Sequence, residues 1–126
     1  MIHWHNDLEP EPPFIASTFN YYLSDDLDGY VEYDELTLEL AKKTEGFLGY
    51  ESFKSGNRGT FISYWKDIKS IEEWSKNPIH IEAKKQGMAR WYAYYHSVIS
   101  EVKQFQQKEP QVEALFVEFS ISLFKD

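Results

Sequence analysis

Polar and apolar positions along this chain alternate at two different periods, and the switches between them mark its elements. From Phe14 to Leu23 the alternation has period two, so a strand is predicted with Ala16, Thr18, Asn20 and Tyr22 on one face and Ile15, Ser17, Phe19 and Tyr21 on the other. After the acidic turn Ser24 to Asp28 the period lengthens. Asp28 is the expected N-cap of a helix running from Gly29 or Tyr30 to Lys43, with Tyr33, Leu36 and Leu40 on one face and Lys42 and Lys43 at its negative end. Gly46 follows as a stop. Two strands are predicted next, about Phe47 to Lys54 and Thr60 to Lys66, joined through Ser55 to Gly59 as a hairpin.

Asp67 then caps a helix carrying Ile68, Ile71 and Trp74, and Asn77-Pro78 supplies a second cap and a first-turn proline, so a kink or restart is expected there. On the restarted helix His80 and Lys84 share one face, Ile79 and Ala83 another, and Gly87 is read as its end. Beyond a turn at Met88 to Trp91, Tyr92 to Phe105 reads as a long strand in which Tyr94, His96 and Val98 alternate with Tyr95, Ser97 and Ile99. Residues 115 to 123 alternate again, and predict an added C-terminal strand that pairs with a sheet edge, the partner subunit's in preference to its own.

The order is β-α-β-β-α-β, the split βαβ arrangement of a ferredoxin-like α+β domain with an antiparallel sheet. Both helices on one face leave the other bare. Burying it against a second copy gives a homodimeric α+β barrel. The chain divides into an extended N-terminal segment (1–13) containing Glu9-Pro10-Glu11-Pro12-Pro13, a domain at 14–105, and a linker with the added strand at 106–126.

A length of 126 residues suits one domain, and 42% apolar content can form a core. Aromatic residues make up 17% of the chain, so a cavity or interface lined by rings is plausible beside the plainer reading of a ring-rich core. A net charge of −8, with no basic run longer than Lys42-Lys43 or Lys84-Lys85, argues against nucleic acid or an anionic membrane as a partner. No cysteine is present, which removes disulfides and thiolate chemistry and fits a reducing, cytoplasmic location. Met1 to Asp7 lacks the regions of a secretory signal, and no apolar run approaches the ~18 residues of a membrane span.

The stretch Gly46-Phe47-Leu48-Gly49-Tyr50-Glu51-Ser52, followed by Ser63-Tyr64-Trp65, Trp74, His80, Ala83, Gly87 and Trp91-Tyr92, resembles an uncharacterised bacterial branch of the antibiotic-biosynthesis monooxygenase (ABM) family of dimeric α+β barrels. The resemblance spans residues 14 to 105. In heme-degrading members it implies a first-strand asparagine, a second-helix tryptophan and an iron-ligating histidine ten residues later. Asn20 and Trp74 match, but the tenth residue is Lys84, whose ammonium has no lone pair for a metal.

In the cofactor-free quinone-forming members the resemblance implies direct reaction of oxygen with a deprotonated phenol, using a tryptophan on the second helix and a tyrosine six residues on. Trp74 matches and His80 takes the tyrosine position, where it could serve as the base. The candidate set is therefore His80, Trp74 and Asn20 as catalytic residues and Arg90, Lys84 and Tyr64 as substrate-binding residues, with Asn20 and Arg90 stabilising an oxyanion. No cofactor or metal is expected. The reading is a cofactor-independent monooxygenase acting on a small aromatic or apolar ligand; the alternative is a non-catalytic binding or stress-related protein of the same fold, in which Trp74 fills the core and His80 is satisfied locally.

Overall fold

The computed structural model describes residues 1–7 and 9–108, and the alternating segment at 115–123 lies outside them. Five strands form one antiparallel sheet: β1 (His3–Trp4), β2 (Phe14–Leu23), β3 (Phe47–Ser55), β4 (Arg58–Trp65) and β5 (Tyr92–Val102), in the order β1-β3-β4-β2-β5. Helices α1 (Tyr30–Lys43), α2 (Ile68–Lys76) and α3 (Pro78–Gln86) and a 3-10 turn at His5–Asp7 complete the described elements, with a π-helical turn at Gly87–Trp91 leading into β5. Without β1, the order is that of a ferredoxin-like domain.

Cap chemistry sets several boundaries. Asp67 accepts a bond from Ser70 N at 2.8 Å and starts α2, and Asn77 accepts from Ile79 N at 3.0 Å to start α3 behind Pro78. The cap of α1 differs from the expectation. Gly29, at φ 82°, occupies the N-cap and makes no side-chain bond, while the carbonyl of Asp28 is engaged instead by Trp91 Nε1 at 2.8 Å. The hairpin is also tighter than predicted. Ser55 pairs with Arg58, leaving Gly56 and Asn57 as a two-residue turn whose first position has φ 60°, as a II′-type connection requires. Gly87 is the C-cap of α3, as expected, though it is right-handed and leads directly into the π turn; it is small because the ring of Tyr92 stands within 2.5 Å of where its Cβ would be.

Strand register assigns the faces. Ile15 pairs with Trp65, Ser17 with Ser63 and Phe19 with Phe61 on the helix side, while Ala16, Thr18 and Asn20 oppose Tyr64, Ile62 and Thr60 on the outer side. A core of Ala41, Phe47, Trp65 and Ile71, flanked by Ile15, Tyr50 and Trp74, joins helices to sheet. A second cluster of Phe14, Ala16 and Tyr64 lies on the outer face and is covered by Ile2, Trp4 and Phe105. Expected only to be extended, the N-terminal segment adds β1 to the edge of β3. Gly49 makes this possible, because a Cβ there would meet His3 O and Trp4 Cε3 at 2.8 Å.

The face of α1 that meets the sheet also differs from the expected stripe. Tyr30 and Ala41 are buried and Leu36 is 48% exposed. Positions 30, 34, 37, 38 and 41 recur at helical spacing, so the inner face carries Asp34 and Thr37 where a purely apolar stripe would have carried leucine.

Candidate functional site

Between the helices and the sheet lies a cleft of ≈ 590 Å³, within the range of small-molecule sites. Its floor is kept open by small side chains. Ser17 and Ser63 face each other across β2 and β4, with Ser97 and Ser52 on the outer strands, where larger residues would fill the space. Phe19, Phe61, Tyr50 and Ile99 supply apolar surface between them.

Trp74 and His80 stand at one end. The imidazole meets the indole edge-on with ring centroids 4.3 Å apart. Trp74 is itself fixed by packing on Trp65 at 5.2 Å and by donating Nε1–H to the carbonyl of Thr37 at 3.0 Å. His80 Nδ1 is buried and has no hydrogen-bond partner. Burial holds the imidazole below the ordinary histidine range, and the Lys84 ammonium one turn further along α3 pushes it the same way. The ring is therefore neutral at pH 7. A neutral imidazole keeps one ring nitrogen as a hydrogen-bond acceptor.

The far end is aromatic and acidic. Tyr21, Tyr30 and Tyr92 gather there beside Asp34 and Lys54. Burial, a hydrogen bond to Tyr21 and the nearby Asp34 charge push the Tyr30 phenol far up, and burial does the same for Tyr92. Asp34 is raised by desolvation, an effect that Lys54 opposes. Sequence reasoning missed this end because its residues come from four elements. The spacing Tyr30, Asp34, Thr37, Leu38 along α1 was the available signal.

Of the six sequence-predicted site residues, His80, Trp74 and Lys84 line the cleft. Asn20 does not reach it. Its side chain is on the outer face, where its Oδ1 accepts from Thr60 Oγ1 at 2.7 Å and its Nδ2 lies 3.2 Å from His96 Nε2. Tyr64 is also on the outer face, donating its hydroxyl to Glu51 Oε1 at 2.9 Å. Arg90, on the π turn, clasps the loop before α1: Nη2 donates to the Asp28 carbonyl at 3.1 Å, Nε to Gln86 Oε1 at 2.9 Å, and Nη1 lies 3.7 Å from Asp26. Among the described residues no three His, Asp or Glu side chains are placed to hold a metal ion.

An antiparallel sheet of this order, covered on one face by helices that enclose an aromatic cleft, defines a ferredoxin-like domain of the ABM type. Residues 32–123 match the family described as monooxygenase af470-like, and the chain belongs to that family. It is 36% identical over 94 residues to the uncharacterized protein YqjZ of Bacillus subtilis (strain 168), covering 74% of this chain and 82% of that protein. Its fold is similar to that of SnoaB, a cofactor-independent oxygenase from Streptomyces nogalater, with a TM-score of 0.64 at 10% identity over 77% of this chain and 100% of that one. An antibiotic biosynthesis monooxygenase of known structure gives a TM-score of 0.62 at 12% identity, over 71% of this chain and 99% of that one.

Proposed function

We propose that the protein is a cofactor-independent monooxygenase that holds a small phenol-like substrate in the cleft, with His80 as the general base. The observation that carries this reading is a neutral imidazole that lines the cleft and is set against Trp74. Once the phenol has passed its proton to His80, the electron-rich ring reacts with dioxygen. One oxygen atom enters the product as a quinone carbonyl and the other leaves as water, the substrate supplying the two electrons and two hydrogens required.

Asn20 and Arg90 do not reach the cleft, so stabilisation of the phenolate is assigned to the Lys84 ammonium and the serine hydroxyls of the floor. The cofactor-independent oxygenase SnoaB, which shares the fold, supports this class of chemistry. Oxygen uptake with a panel of polyphenols and naphthols tests the reading. Turnover by the protein without added metal or flavin is expected, and tight binding of the same compounds with no oxygen uptake would favour a binding protein instead.

A homodimer belongs to the same proposal. Tyr22, Phe53, Tyr94 and Val98 are all more than a third exposed and lie on the outer face of the sheet, which the helices leave bare. A second copy laid against this face would remove that surface from water.

A further inference from the structure

The end of the cleft remote from His80 has the chemistry of a cation site, and the protein already places a cation in it. Phe19, Tyr21 and Tyr92 pack with centroids 5.1 to 5.4 Å apart, and Tyr30 joins them edge-on at 6.2 Å from Tyr92. Asp34 stands one helical turn after Tyr30. From the end of β3, Lys54 reaches into this corner, with Nζ 3.8 Å from Asp34 Oδ2 and 5.5 Å from the Tyr30 centroid. A carboxylate beside an electron-rich ring face is how proteins recognise organic ammonium groups. Lys54 and Asp34 are both half-exposed, and Lys54 lies two residues before the hairpin turn, so it can leave the corner for solvent.

Both ends belong to one cleft, which Tyr30, Asp34 and Lys54 line together with Trp74, His80 and Lys84. Thr37, to whose carbonyl Trp74 is bonded, follows Asp34 by three residues, or ~4.5 Å along the helix axis, so the indole is anchored within one turn of the carboxylate. A cleft of ≈ 590 Å³ has room for an aryl ring with a short alkyl arm.

Building on the oxygenase reading of the cleft, we propose that its substrate is a phenol carrying a basic side chain, with the phenolic oxygen at His80 and the ammonium displacing Lys54 from Asp34 and the face of Tyr30. Asp34 also raises the Tyr30 and Tyr92 phenols, so its field covers the whole corner. Glu72 is the other carboxylate lining the cleft, on the α2 wall.

The test is calorimetric binding of tyramine and of 4-ethylphenol, which lacks only the amine, to the wild-type protein and to Asp34→Asn, Glu72→Gln and Lys54→Met. Tyramine should bind about 10-fold more tightly than 4-ethylphenol, in keeping with a charge-assisted contact. The preference should vanish in Asp34→Asn, persist in Glu72→Gln, and grow several-fold in Lys54→Met, where the internal competitor is gone. Equal binding of the two phenols to the wild type would overturn the amine inference and leave the aryl cleft standing. A preference that survives Asp34→Asn, or one lost only in Glu72→Gln, would overturn the assigned corner. If neither phenol binds, both the amine inference and the phenol reading fall. Should Asp34→Asn not fold, an unchanged preference in Lys54→Met would still refute the proposal.

Discussion

His80 meets Trp74 edge-on, ring centroids 4.3 Å apart, and the indole in turn is tied by Nε1 to the backbone of α1. The imidazole and the helix–sheet core are thus one packed unit. His80→Gln keeps the volume and removes the proposed base, so oxygen uptake should fall by roughly 10²-fold or more while the unfolding midpoint holds steady. An unchanged rate would remove His80 from the chemistry.

The same imidazole should make stability fall in acid, and with it the proposed activity. Its folded-state affinity for a proton is below that of the unfolded chain, so the unfolded state binds more protons and stability rises with pH. The contribution is complete above the ordinary histidine value of about 6.5 and is lost as pH drops below it. Urea titrations between pH 5 and 8 should show this slope in the wild type and a shallower one in His80→Gln.

Trp74→Phe separates packing from catalysis. The variant loses the bond to the Thr37 carbonyl and part of the contact with Trp65, at a cost of about 1–3 kcal/mol by denaturant titration. Full specific activity in the folded fraction would leave Trp74 a purely structural role.

On the outer face, the proposed dimer should bury more than about 1,200 Å² in total and persist at micromolar concentration. Val98→Glu places a charge among exposed apolar side chains and should shift sedimentation toward the monomer. A wild-type monomer at that concentration would refute the pairing.

Trp4 packs on Phe14, Tyr64 and Phe105, and its Nε1 donates to Gln107 Oε1 at 3.0 Å. Trp4→Ala should cost about 2–4 kcal/mol and speed amide exchange in β1 and around Phe105 together.

Where a single element carried the signal, the chain was legible. The range Phe14–Leu23 followed from period-two alternation, and Asp67 and Asn77-Pro78 marked the starts of α2 and α3 because an Asx cap and a first-turn proline act locally. β1 was illegible, since two residues have no period and its pairing depends on the bare backbone of Gly49 forty-five positions after Trp4. The site was read in part. Helical spacing brought His80 and Lys84 to one face, and alternation correctly set Asn20 opposite Phe19, but only the placement of the helices decides which face is roofed. Helical spacing joined Tyr30 to Asp34, but Tyr21, Lys54 and Tyr92 escaped notice because only tertiary folding brings them to that pair.

Gly59 on β4 lines none of the cleft, yet it determines how wide the acidic end can be. A Cβ at this position would lie 2.2 Å from the Tyr21 ring, so the phenol occupies room left by a missing side chain. Bulk added there would push the ring toward Tyr92. The bore of the chamber is therefore set from beneath its lining: Gly59→Ala or Gly59→Ser would narrow it by displacing Tyr21, and the room at this end becomes a property of the β-sheet backbone.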